Sequence, residues 1–78
     1  MTNLEKYNQI FLDTFSIEVG SLTGLAYQSV PVWDSVGHMG LMAALEEGFE
    51  VMLETDDIIE FSSYEKGKEI FRKYGVNI

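Results

Sequence analysis

The chain is predicted to fold as a small all-α bundle of four helices: three longer ones, a short third one, and a long loop between helices 1 and 2. Three observations predict it. Apolar residues recur at spacings of three and four in separate stretches, as they do on helices with one buried face. Ser and Thr caps stand where those stretches begin. The interval from Ser16 to Trp33 holds Gly20, Gly24, the only proline (Pro31) and several Ser and Thr, which counts against a long strand there.

The first helix reads from Leu4 to Phe15. Thr2 is its N-cap and Glu5 completes a capping box. Leu4, Tyr7, Phe11 and Phe15 form the expected buried stripe. In the following loop, Leu22, Leu25, Val30 and Val32 are expected to pin the chain to the core. Loops this long are uncommon in compact domains and are often functional. The second helix runs from Ser35 to Glu50. The third spans Asp56 to Phe61, capped by Thr55, with Asp56 and Asp57 favourable at the positive helix end. The fourth runs from Ser63 to Tyr74, with a capping box from Ser62 and Glu65 and a stop at Lys73 and Gly75. Tyr64, Ile70, Phe71 and Tyr74 are its core stripe.

With 78 residues the chain forms a single domain, 1–78. A domain this small buries only roughly 60–65% of the surface its unfolded chain exposes. That leaves no room for a deep enclosed active site. No apolar run approaches the roughly 18–20 residues that span a bilayer. The segment Met1-Thr2-Asn3-Leu4-Glu5 lacks the basic-then-apolar pattern of a signal peptide, and there is no cysteine. These features fit a discrete cytoplasmic protein and a monomer.

The formal net charge is −8, unevenly spread. Between Lys6 and Lys66 there is no lysine or arginine, while eleven acidic residues fall in that interval. Such a surface repels nucleic-acid phosphates and anionic membranes. It favours proteins with basic patches, although acidity also serves solubility alone.

The second helix is the most informative. At about 100° per residue, His38, Leu41, Met42, Leu45 and Phe49 fall on one arc, the core face. Gly37, Gly40, Ala44 and Gly48 form a stripe of small residues beside it. Each internal glycine costs roughly 1 kcal/mol relative to alanine, so they imply close backbone approach or a soft helix. The opposite face holds Val36, Met39, Ala43, Glu46, Glu47 and Glu50. An apolar strip rimmed by carboxylates reads as a docking surface, although scattered surface apolar residues are also normal.

Ser35 opens this helix in the run Val32-Trp33-Asp34-Ser35-Val36-Gly37-His38-Met39. Serine is a good N-cap, and so is Asp34. An exposed hydroxyl at a helix N-terminus also suits a phosphate ester, because free N–H groups and the helix dipole stabilise an attached phosphate.

The segment from Asp34 to Phe49 resembles the signature helix of acyl carrier proteins. In that family an Asp-Ser-Leu triplet opens the second helix and a Leu-Glu-Glu-x-Phe run closes it. Here these stand as Asp34-Ser35-Val36 and Leu45-Glu46-Glu47-Gly48-Phe49. The likeness extends over the whole chain, through the long first loop and the third helix with Thr55-Asp56-Asp57-Ile58. It implies a single carrier domain that is not itself an enzyme. It implies that Ser35 receives 4′-phosphopantetheine from coenzyme A, and that Asp34 assists recognition by the phosphopantetheinyl transferase. The arm would carry an acyl, aminoacyl or peptidyl group as a thioester. Val36, Met39, Ala43, Glu46 and Glu47 match positions where loading ligases, synthases and transferases dock. Three departures separate this chain from fatty-acid carriers: Val36 for leucine, Gly40 for an acidic residue, and Trp33 for a small one. They point to a specialised pathway for polyketide, peptide, aminoacyl or surface-polysaccharide synthesis.

Two rival functions remain. One is a small acidic helical adaptor in which Ser35 is only a cap. The other is a hydrolase with a Ser35–His38 dyad, for which no oxyanion-hole motif is evident. His38, the only histidine, is expected at the mouth of a cleft. It has no partner for a transition-metal site, and Glu54, Asp56, Asp57 and Glu60 lack the spacing of a calcium loop.

Overall fold

The computed structural model describes residues 1–78 as four helices with no strands. Thr2 starts the first of them. Its hydroxyl accepts the Glu5 N–H at 3.0 Å, and Glu5 Oε1 accepts the Thr2 N–H at 3.0 Å, closing the expected capping box. This helix, α1, covers Asn3–Phe15. A short 3-10 turn at Val19–Ser21 interrupts the long loop. Then follow α2 (Ser35–Phe49), α3 (Thr55–Glu60) and α4 (Tyr64–Lys73).

Fourteen buried apolar residues form one cluster. Tyr7, Phe11 and Phe15 come from α1, Leu41, Met42 and Leu45 from α2, and Tyr64, Ile70 and Phe71 from α4. The connections add Leu22, Leu25, Trp33, Leu53 and Phe61. Two expected core residues lie outside. Leu4 stands in the first turn of α1, a turn short of the aromatic cluster that begins at Tyr7, and is 42% exposed. Val32 is 46% exposed. The tight turn closed by the Trp33 N–H on the Val30 carbonyl sends Trp33 inward and leaves its neighbour in solvent. Val30, Phe49 and Tyr74 are half-buried against the cluster.

One cap is resolved between its two candidates, and two others differ from expectation. Asp34, not Ser35, caps α2, its Oδ1 accepting the Gly37 N–H at 2.8 Å. Thr55 already has helical backbone, and Glu54 before it makes no side-chain cap. Ser63, not Ser62, caps α4 by accepting the Lys66 N–H at 2.9 Å. The last shift has a tertiary cause. The loop pairs with the α3–α4 connection through an isolated bridge between Ala26 and Ser63. The Tyr27 N–H donates to the Ser62 carbonyl and the Tyr64 N–H to the Leu25 carbonyl, both at 2.9 Å, holding Ser63 extended. At its C-terminus α4 ends in a Schellman motif. Gly75 takes φ +80, and the Val76 and Gly75 N–H groups return to the Phe71 and Arg72 carbonyls.

The glycines divide by what surrounds them. Gly48 faces α1, where an added Cβ would stand 2.6 Å from Ile10 Cδ1, and its carbonyl accepts from Lys6 Nζ at 2.9 Å. Gly67 on α4 lies against Phe61 and the Tyr7 hydroxyl, and a Cβ there would overlap both. Gly40 has open space around it, so close approach does not account for it.

Asp57 ties α3 to α4. Its Oδ1 accepts from Lys73 Nζ and its Oδ2 from the Tyr74 hydroxyl, each at 2.6 Å. Tyr74 also accepts the Glu54 N–H at 2.9 Å. The Lys73 bond first, then Tyr74, holds the Asp57 carboxyl below the ordinary aspartate range. The same carboxylate raises Lys73 and Tyr74. A depressed acid contributes stability above its unfolded pKa and loses it as pH falls through the folded value; raised groups lose theirs as pH climbs through their folded values. The tie is therefore worth most between the aspartate and tyrosine ranges. Thermal midpoints of the native protein and Asp57→Asn should differ most near neutrality. The gap should close below the ordinary aspartate range, and shrink again above the ordinary tyrosine range.

Candidate functional site

The chain enters α2 through a turn that only certain residues permit. Asp34 supplies the cap. Gly37, three residues on, sits where a Cβ would strike the Val32 carbonyl, so this entry needs glycine. The result places Ser35 as the first residue of α2, exposed, with its hydroxyl free of the capping role. Asp34 is exposed beside it.

Beyond Ser35 the outward face of α2 matches its angular reading in most positions. Val36 is 81% and Met39 56% exposed. Ala43, Glu47 and Glu50 are exposed as well. Glu46 differs. It is half-buried, and its Oε2 accepts the Leu53 N–H at 2.8 Å, bracing the α2–α3 connection.

Between α2 and α3 lies an open cleft of about 330 Å³ with Ser35 on its rim. Met39 lines it from α2, Ile58 and Ile59 from α3, and Tyr27 from the long loop. Buried Phe61 lies deeper, and Ser62 adds a second hydroxyl. No charged carboxylate, ammonium or guanidinium group lines it. A second, more open hollow at Arg72, Gly75, Val76 and Asn77 does not include Ser35.

His38 lines the cleft, and both ring nitrogens are engaged. Trp33 Nε1–H donates to Nδ1 at 2.9 Å. Nε2 lies 2.8 Å from the Ile58 carbonyl. A carbonyl only accepts and an indole N–H only donates, so these partners place the imidazole hydrogen on Nε2. The ring thus spans from α2 to α3 and lies edge to edge with Trp33 in nearly one plane, with centroids 6.2 Å apart and planes at 15°. Tyr27 meets its other side edge-on at 5.6 Å.

Sequence reading placed Asp34, Ser35, His38 and Met39 at this end of α2, and they do come together. It missed the other walls. Ile58 and Ile59 were legible as an adjacent apolar pair on a short helix, where one turn cannot bury both. Trp33, which does not line the cleft but holds His38 from behind, was legible as the only tryptophan, directly before Asp34 and Ser35. Tyr27 and Ser62 carried no signal, because their place depends on the loop pairing with the α3–α4 connection.

No group of three or more His, Asp or Glu side chains lies close enough to hold a metal ion. No helix is long and apolar enough to cross a membrane. The chain matches no protein-family model, no curated protein and no solved structure.

Proposed function

We propose that the protein is a carrier whose Ser35 bears a 4′-phosphopantetheine arm, presenting a thioester-bound acyl, aminoacyl or peptidyl group to partner enzymes in the cytoplasm. One observation above all supports this reading: an exposed serine hydroxyl, relieved of capping by Asp34, on the rim of an apolar cleft. The first-turn N–H groups of α2 and its positive end favour a phosphodiester on that oxygen. The coenzyme's pantetheine supplies the thiol that the cysteine-free chain lacks. In this reading the protein performs no bond chemistry itself. The exposed apolar residues Val36, Met39 and Ala43, followed by Glu47, form the surface offered to basic patches on a phosphopantetheinyl transferase, a loading ligase and a downstream synthase.

The exposed apolar side chains of Val36 and Met39 also support the adaptor reading, in which they bind one protein and Ser35 stays unmodified. A hydrolase reading is disfavoured, because the one acceptor nitrogen of His38 is taken by Trp33 and offers no lone pair to Ser35.

The test is an intact mass after incubation with coenzyme A and a promiscuous phosphopantetheinyl transferase. The expected result is the gain of one prosthetic arm, abolished in Ser35→Ala. An unmodified protein with an intact helical spectrum would leave the adaptor reading standing.

A further inference from the structure

We propose that the cleft beside Ser35 takes an uncharged cargo no longer than a short acyl chain or a single ring, and that His38 sets this limit. The inference rests on the carrier reading and adds what the carrier holds.

The cleft's volume, about 330 Å³, is at the small end of the roughly 300–1,000 Å³ range of small-molecule sites. Its lining side chains are apolar apart from the hydroxyls of Tyr27, Ser35 and Ser62 and the imidazole of His38. A charged group buried there would lose water and find no counter-charge, so the walls select a neutral occupant.

The depth is closed by a specific device. A longer chain passing from Ser35 toward the interior would have to slip between α2 and α3. That gap is crossed by the hydrogen bond from His38 Nε2–H to the Ile58 carbonyl. Behind His38 stands Trp33, fully buried and bonded to Nδ1, in contact range of Phe61 with ring centroids 6.4 Å apart. Leu41, one turn after His38 on the same face, has no exposed surface. A long chain would break two hydrogen bonds and displace close-packed side chains, whereas a short one needs only the space already open. His38 is thus a specificity-determining residue that acts by closing the path inward.

The test loads Ser35 from butyryl-, benzoyl- and dodecanoyl-coenzyme A with a promiscuous transferase, confirming each product by intact mass. Methyl NMR spectra then follow Met39, Ile58 and Ile59 in the cleft, and Leu41 and Ile70 in the core. Butyryl and benzoyl cargo should shift the cleft methyls and leave the core ones in place. Dodecanoyl cargo should shift Leu41 in His38→Ala but not in the native protein. His38→Gln, which keeps a polar side chain able to reach Ile58, guards against misfolding of the alanine variant and should behave as native. Dodecanoyl shifts at Leu41 in the native protein would overturn the limit. So would cleft methyls unmoved by every cargo. Both outcomes, with mass gained, leave the carrier reading intact; no mass gain on any thioester overturns both.

Discussion

Replacing Gly67 by alanine is expected to destabilise the domain by roughly 2–4 kcal/mol, enough to populate the unfolded chain near room temperature in so small a protein. The added Cβ meets two groups that have nowhere to go. Phe61 is 1% and Tyr7 0% exposed, and Phe61 Cε1 would also stand only 2.7 Å away. Tyr7 is held by its hydroxyl, which donates to the Tyr64 carbonyl at 2.7 Å. Burial pushes that phenol well above the ordinary tyrosine range, as expected for a group that must keep its proton to make this bond. Moving Tyr7 would strand a buried donor, at about 1–3 kcal/mol, on top of overpacking at about 1–3 kcal/mol. Alanine returns roughly 1 kcal/mol of helix propensity, which does not restore the balance. A urea titration followed by circular dichroism reads the change. A midpoint equal to that of the native protein would show that α4 does not approach Phe61 this closely. At Gly40, where a Cβ has free space, the same exchange lacks the steric term altogether.

Trp33→Ala should cost about 3–5 kcal/mol, the usual range for emptying a buried indole site. Trp33 lies among Phe11, Phe15, Phe61 and His38, with ring centroids 5.4 to 6.4 Å away. Those neighbours belong to α1, α2 and the α3–α4 connection, so the cavity cannot close by moving one element. Trp33→Phe should cost less, about 1–2 kcal/mol, since it keeps most of the volume and loses the donor to His38 Nδ1. The two variants also separate packing from site geometry. If the indole N–H orients the imidazole, the His38 ring resonances and the Ile58 carbonyl shift should move in Trp33→Phe nearly as far as in Trp33→Ala. Thermal unfolding and carbonyl-detected NMR measure the two effects.

The helices were legible because each long one has an apolar stripe at helical spacing, and α1 and α2 also carry a local start signal. Thr2 with Glu5, and Asp34 three residues before Gly37, act within one turn, so sequence distance equals spatial distance there. The errors fall where that equality fails. Ser62 reads as a cap only until the loop pairs with it; the bond from the Tyr27 N–H joins residues far apart in sequence and moves the helix start by one residue. Glu46 reads as a surface charge until the connection after α2 folds back and presents the Leu53 N–H. Gly67 drew no reading from the sequence, because nothing local announces that two aromatic rings from elsewhere need its missing side chain. The candidate site divides in the same way. Its α2 side follows from a continuous segment, whereas its α3 and loop walls exist only once the bundle has closed.

Trp33 is the only tryptophan in the chain, and it directly precedes Asp34 and Ser35. Shielded from water and joined to the imidazole that crosses to α3, it gives the protein a native fluorophore one residue pair away from the proposed attachment point. Its emission will therefore respond both to unfolding, by moving to longer wavelength as water reaches the indole, and to any event that displaces His38. A titration with a binding partner or an enzyme that modifies Ser35 can be followed in real time without a dye, a tag or an engineered label.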